Sequence, residues 1–352
     1  MTILSRKIEI PHFTSIKSDA WEELPQDIIE NTPSGTKVIL AVDPTVEKLY
    51  GKKLKSIFDK HKVSFCDEII IEDSDQNQVD KLSQLILKNN AGLVLGVGGG
   101  RTLDVSQYAS HCNKIPFISV PTTPSHDGIF SPVAVIRNNN KTSSIKVNMP
   151  LGVVVDLEIL QNAPIDLIKA GIGDTISNLS AVKDWQKSYQ VKHCKVFDGY
   201  SALQSKLAYE RLVTIRKMPL NSKEFLQILV EGLILNGMAM EMANNSLPCS
   251  GAEHMFSHAL DIIGPKRSLH GLQVAVGTLI TECLRGEDLT EILKLFDKFN
   301  LPKSPYDLGF NKEETLEALK LAPSTRAERY SILNEVEIDE GVIIKLEYWK
   351  IL

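Results

Sequence analysis

In its first half the chain alternates short apolar runs with amphipathic stretches, a pattern that few folds satisfy. Lys37–Val42 (KVILAV) reads as a buried strand ended by Asp43 and Pro44. Thr45–His61 then has helical spacing, with Leu49, Leu54, Ile57 and Phe58 on one side. Val63–Ile71 reads as a second strand, Gln76–Lys88 as a second helix and Ala91–Val97 as a third strand. Arg101–Ser110 follows as a helix and Pro116–Val120 as a fourth strand. Strands separated by helices imply βαβ units, a parallel sheet and right-handed crossovers. Pro132–Ile136, Ser143–Val147 and Gly152–Val155 read as further strands, partly antiparallel.

Beyond about Leu160 strand-like runs nearly vanish. Helical patterns cover 164–170, 175–189, 196–217, 222–244, 252–262, 271–285, 289–299 and 312–321. This places an α/β domain over residues 1–160 and an all-helical domain over 161–352. A chain of 352 residues has room for both cores. The net charge of −5, with scattered Lys and Arg, argues against a nucleic-acid partner. No stretch reaches the roughly 20 apolar residues of a membrane span, because Phe225–Met242 is broken by Glu231, Asn236 and Glu241. The N-terminus carries no apolar leader. Five dispersed cysteines without CxxC spacing read as reduced thiols of a cytoplasmic protein.

Two polar loops follow strands. The first, from Gly96 through Gly98, Gly99 and Gly100 to Arg101 and Thr102, opens a helix. Glycines let backbone N–H groups approach an anion, and a helix N-terminus adds positive potential. The pattern is neither GxGxxG nor a Walker A loop. A tight turn without a ligand would use the same residues. Asp43, ending the first strand, could meet adenosine ribose hydroxyls, which would favour NAD, or could simply cap the helix that follows. The second loop, Pro121–Gly128 (PTTPSHDG), offers hydroxyls to a phosphate or carboxamide and Asp127 and His126 to a substrate. Its composition would also make a plain turn.

In the helical half, His254 and His258 lie four apart, on one face of a helix. His270 begins the next helical pattern, and Asp174 stands at the head of another. Three histidines and an aspartate form a mixed N/O set suited to zinc, nickel or ferrous iron. A single HxxxH pair could equally be a polar helix face, and Asp174 a plain N-cap.

The ordered set GGGRTLD (98–104), the Thr-rich loop, GIGD (171–174), HMFSH (254–258) and HG (270–271) resembles the superfamily of iron-containing alcohol dehydrogenases, glycerol dehydrogenase and dehydroquinate synthase. TTPSHDGIFSP (122–132), GIGDTISN (171–178) and RAERYSIL (326–333) are most similar to its sn-glycerol-1-phosphate dehydrogenase branch, which supplies archaeal-type ether lipids.

The resemblance implies a dehydroquinate synthase-like fold: a Rossmann-like, dinucleotide-binding α/β domain, then a helical domain binding metal and substrate. It implies metal ligation by Asp174, His254 and His270. Asn178 stands where many iron-dependent relatives have a fourth ligand, a histidine, which leaves three protein ligands, as in the zinc-dependent members. Asp174 also departs from the glutamate of dehydroquinate synthases. By the same resemblance NAD or NADP would contact Asp43, Gly98, Gly99, Gly100, Arg101, Thr102, Asp104, Thr122, Thr123, Ser125 and Ser131. Substrate would meet Asp127, Asp174 and His258, with the active site in a cleft between domains. The implied reaction is metal-assisted reduction of dihydroxyacetone phosphate to sn-glycerol 1-phosphate, by a homo-oligomer (dimer or octamer). Zn2+ is the expected metal, with Ni2+ or Fe2+ as alternatives. Lys141, Lys146, Lys266 and Arg267 are unranked candidates for the substrate phosphate. The rival readings are a glycerol dehydrogenase acting on an unphosphorylated polyol, a lyase of the dehydroquinate synthase type, and a nucleotide-binding regulator without metal.

Overall fold

The computed structural model describes residues 8–138, 141–265 and 267–352. The chain divides into two compact units. One comprises the chain up to Pro164 together with Asn221–Val230; the other comprises Ile165–Leu220 and Glu231–Leu352.

The first unit runs β1 (Phe13–Lys17), α1 (Leu24–Asn31), β2 (Val38–Val42), α2 (Pro44–Lys60), β3 (Phe65–Ile70), α3 (Gln76–Asn89) and β4 (Leu93–Gly98). It continues with α4 (Gly100–Asn113), β5 (Phe117–Pro121), β6 (Val133–Asn138), β7 (Lys141–Lys146), β8 (Gly152–Asp156) and α5 (Leu157–Gln161). Six strands form one parallel sheet in the order β1-β8-β5-β4-β2-β3. Every residue of β2, β4, β5 and β8 is buried. That burial is why these strands read as continuous apolar runs rather than as alternation.

The further strands are partly antiparallel, as expected: β6 and β7 form a separate antiparallel hairpin, while Gly152–Asp156 pairs parallel with both β1 and β5 inside the main sheet. Leu49 is 62% exposed; the buried face of α2 is Val46, Gly51, Leu54, Ile57 and Phe58. β1 and α1 lacked a sequence signal, because FTSIK is a half-buried edge strand without a clean period.

The topology marks a binding edge. From β2 the chain moves outward to its neighbour β3, and from β4 it moves the other way to β5, while β2 and β4 lie side by side. The loops leaving their carboxyl ends therefore diverge, and such a switch point is where open α/β sheets hold ligands. Asp43 and Gly98–Gly100 flank it.

The helices of the second unit are α6 (Ile165–Ile176), α7 (Asn178–Gln190), α8 (Gly199–Ile215), α9 (Lys223–Ala243), α10 (Ala252–Ile263), α11 (His270–Leu284), α12 (Thr290–Phe299), α13 (Lys312–Thr325) and α14 (Glu340–Tyr348). The first residues of α9 group with the other unit. By length and composition α9 would suit a membrane span, but 56% of its apolar window is buried inside the protein, as befits a core helix.

The sequence reading broke the helix at Gly171-Ile172-Gly173 and put Asp174 at the head of the next. In the structure α6 runs through these glycines, and Asp174 lies in its last turn. The glycines serve packing rather than termination. A Cβ on Gly173 would sit 2.2 Å from the carbonyl oxygen of Gly271, and one on Gly271 would sit 2.0 Å from that of Ala170. Helices α6 and α11 thus meet backbone to backbone, and the neighbours of those glycines are Asp174 and His270.

Candidate functional site

Asp174 on α6, His254 on α10 and His270, the first residue of α11, converge. One ligand atom from each lies within 4.8 Å of the others. His254 Nε2 stands 3.6 Å from Asp174 Oδ1. Two donors on one tetrahedral zinc, with bonds of roughly 2.0–2.1 Å, stand about 3.4 Å apart, close to this spacing. The His254 and His270 rings lie 5.1 Å apart, edge to face.

The hydrogen bonds around both imidazoles fix which nitrogen is available. His254 Nδ1 lies 2.9 Å from Oε1 of Glu253, a fully buried carboxylate that also accepts from Gly251 N–H. The Nδ1 proton goes to Glu253, and Nε2 is the nitrogen turned toward Asp174. For His270 the chain of donors is longer. Gln273 Nε2 donates to Asp261, so Gln273 Oε1 is the acceptor for the Ser257 hydroxyl at 2.6 Å. Ser257 Oγ, 2.9 Å away, must then accept from His270 Nδ1, so Nδ1 carries a proton. A hydrogen-bond acceptor behind Nδ1 is how proteins orient a histidine toward a metal.

Electrostatics agree. Burial alone would lower the His254 pKa, but the carboxylates of Asp174 and Glu253 raise it to about 9, so the group holds a cation in its place. The Glu253 carboxyl, which burial would raise, is lowered by its bond to His254. Asp184 on α7 fixes the start of α10. Its Oδ2 accepts from Ala252 N–H at 2.8 Å and its Oδ1 from Ile332 N–H, and it pairs with Arg285.

His258 is outside this cluster. Its ring stacks on that of His270 with centroids 6.0 Å apart, and its Nε2 lies 3.3 Å from the Arg326 guanidinium. Burial, together with the charges of His270 and Arg326, holds its pKa well below the usual value. It is therefore neutral, with Nε2 accepting from Arg326 and Nδ1 protonated. Asn178 is buried, and its amide donates to Ser205 O and Asn236 Oδ1.

In the first unit Gly98–Gly100 make a cradle. Gly99 is the N-cap of α4 and offers no side chain to the first-turn N–H groups. A Cβ on Gly99 would meet only Thr123 Oγ1, at 3.5 Å, whereas one on Gly100 would strike the His126 ring. Thr102 Oγ1, buried beneath Gly98, has no hydrogen-bond partner in the protein. Asp43 performs the capping role: its Oδ1 accepts from Thr45 and Val46 N–H at 2.8 Å, and its Oδ2 lies 3.4 Å from Gly99 N–H.

Thr122 N–H donates to Gly98 O, and the Thr123 and Ser125 hydroxyls lie 3.5 Å apart. Arg101 reaches Glu72 O. Ser131 Oγ accepts from Val133 N–H, and Gln107 ties Ser131 O to Asn148 O. Asp104 is buried on α4 and accepts from Val135 N–H; burial, with the Asp127 charge adding, pushes its carboxyl well up. Asp127 opens a short 3-10 turn beside His126, whose Nδ1 accepts from Gly128 N–H. Glu253, Gln273 and Gln107 carry no role in the sequence reading, and Ser257 and Arg326 enter it only inside the motifs HMFSH and RAERYSIL. The adjacency of Glu253 to His254 is a usable signal for the first.

The family described as iron-containing alcohol dehydrogenase matches residues 15–164. The chain resembles solved glycerol dehydrogenases along nearly its whole length. Against a probable glycerol dehydrogenase from Sinorhizobium meliloti the TM-score is 0.79 at 17% identity, covering 98% of this chain and 99% of that one. Against glycerol dehydrogenase from Schizosaccharomyces pombe it is 0.78 at 20% identity, covering 98% and 92%. These show that the chain has the glycerol dehydrogenase fold. Among curated proteins the chain is 37% identical over 330 residues to glycerol-1-phosphate dehydrogenase (NAD(P)+) of Methanosphaera stadtmanae, covering 94% of each. It is 35% identical over 341 residues to that of Thermococcus sibiricus, covering 95% of each. The chain belongs to the glycerol-1-phosphate dehydrogenase family.

Proposed function

We propose that this chain is a metal-dependent, NAD(P)-linked dehydrogenase that reduces dihydroxyacetone phosphate to sn-glycerol 1-phosphate, a backbone precursor for archaeal-type ether lipids. The observation that carries the reading is the convergence of Asp174, His254 and His270, with Nδ1 of the two histidines directed at Glu253 and Ser257, in a chain of this family. Two imidazole nitrogens and one carboxylate oxygen suit zinc, with nickel or ferrous iron as alternatives, and leave a coordination position open. The glycine cradle, the uncapped start of α4 and the orphaned Thr102 hydroxyl suit a dinucleotide pyrophosphate. Asp43, Arg101, Asp104, Thr122, Thr123, Ser125 and Ser131 border that loop or support it.

When bound, the nicotinamide supplies the hydride and the metal polarises the ketone oxygen. Asp174 and the two histidines fix the site at which the ketone is held. Asp127 and His258 are assigned to the substrate, and the protonated Nδ1 of neutral His258 is a donor for a substrate oxygen. The reading places a homo-oligomeric enzyme in the cytoplasm, and the five free cysteines support that compartment.

The test is NAD(P)H oxidation with dihydroxyacetone phosphate and, separately, with dihydroxyacetone. The phosphorylated ketone is expected to have the higher kcat/KM. A preference for dihydroxyacetone would make this a polyol enzyme, and turnover without net NADH consumption would make it a lyase.

Two further outcomes follow from the hydrogen bonds. Glu253→Ala should weaken metal binding about 10- to 100-fold, the usual effect of removing a carboxylate behind a liganding histidine. Competition with a chromophoric chelator reads this directly, and unchanged affinity would remove Glu253 from the site. In the metal-free protein folded His254 keeps its proton to about pH 9, whereas the unfolded chain releases it near about 6.5. Its stabilising contribution is full below about pH 6.5 and is lost as the pH rises through about 9. Metal must displace that proton, so apparent affinity should climb about tenfold per pH unit up to about 9. Titration calorimetry in two buffers counts the released proton; a flat profile would contradict the assignment.

A further inference from the structure

A phosphate ester arrives as an anion and needs cationic or N–H donors. Of the basic residues named from the sequence, Arg267 is already engaged. It pairs with Glu314 at 2.8 Å, donates to Gly309 O and lies 4.9 Å over the Phe310 ring. Lys146 is exposed on β7, and Lys266 and the Lys141 side chain lie outside the described residues. The structure offers a different cation. Arg326 follows the last turn of α13, and its guanidinium stands 3.3 Å from His258 Nε2. His258 in turn stacks on His270 at 6.0 Å. A single imidazole, His258, therefore stands between this guanidinium and the ring of His270.

We propose that Arg326 binds the phosphate group of the substrate and so sets the preference for a phosphorylated over an unphosphorylated ketone; this rests on the reaction proposed above. Its segment is anchored for the task. Arg329 donates to Ser250 O at 2.8 Å and to Ser246 Oγ at 2.7 Å, and Ile332 N–H is held by Asp184. These bonds tie the stretch that follows Arg326 to the segment leading into α10 and to Asp184 of α7, which also holds the first residue of α10. A planar guanidinium fork matches two phosphate oxygens at once, where an ammonium offers a point charge. His258 then acts twice, on a substrate oxygen and as the wall that orients the fork.

The experiment uses the metal-loaded full chain with Arg326→Met and Arg326→Lys. The readout is kcat/KM for dihydroxyacetone phosphate divided by kcat/KM for dihydroxyacetone. This ratio should fall about 30- to 100-fold in the Met variant, the effect of losing charge-assisted bonds, and by less in the Lys variant. In parallel, calorimetric titration with inorganic phosphate should show at least about tenfold weaker binding to the Met variant. An unchanged ratio overturns the proposal, and so does an equal loss on both ketones, which would mean a structural role through His258. If the wild-type chain turns over neither ketone, the reaction assigned above fails, and the phosphate titration still decides whether Arg326 is an anion site.

Discussion

His270→Ala is expected to release the metal and to lower kcat/KM by about 10³-fold or more. Removing one of three protein donors leaves Asp174 and His254, too few for a tightly held ion. A Lewis acid on a carbonyl oxygen contributes several kcal/mol to the transition state, and each ~1.4 kcal/mol is tenfold in rate. The helix itself should survive. His270 is the first residue of α11 and the N-cap is Leu269, so no capping side chain is lost, and alanine is the better helix former. Metal content per chain after gel filtration, with far-ultraviolet dichroism as the fold control, checks both halves of the expectation. His258→Ala is the internal comparison: it should keep its metal while losing turnover. Intact metal in the His270 variant would remove that residue from the ligand set.

The second large effect concerns a residue without chemistry. Gly271→Ala would drive a methyl group to 2.0 Å from the Ala170 carbonyl oxygen and 2.5 Å from its carbon. The obstruction is backbone, so no rotamer change relieves it, and α6 and α11 must part. Overpacking of this kind typically costs about 1–3 kcal/mol, and a backbone clash stands at the upper end. A thermal midpoint lower by about 4 °C is expected for about 3 kcal/mol in a chain of this size. Because Asp174 and His270 lie next to the crossing point, metal affinity should fall with stability. Gly199→Ala, where an added Cβ meets nothing within 4 Å, is the matched control and should change neither. A Gly271 variant with wild-type stability and metal content would show that the close approach of α6 and α11 is dispensable.

The parallel sheet was legible because buried parallel strands are apolar throughout, and KVILAV, AGLVLGV and PFISV need no periodicity to be recognised. The switch point then placed Asp43 and the glycine loop on one edge. What was illegible was non-local. Gly171 and Gly173 look like helix stops until α11 is laid against α6, so Asp174 was put at the wrong end of its helix. His254 and His258 look like a pair on the HxxxH spacing, yet His254 joins Asp174 and His270, and His258 turns to Arg326. The bonds that choose the tautomer of His270 run through Ser257, Gln273 and Asp261, across two helices. Spacing alone left Asp174 and His270 open as ligands. The family resemblance singled them out, and the geometry supplies the reason they can act together.

The most direct test of the metal centre is to strip the wild-type chain with a chelator and follow NAD(P)H oxidation with dihydroxyacetone phosphate as Zn2+, Ni2+ or Fe2+ is returned. Turnover should vanish on stripping and recover at about one ion per chain, whichever metal proves best. Full activity in chelated protein with no bound metal would contradict a centre built on Asp174, His254 and His270.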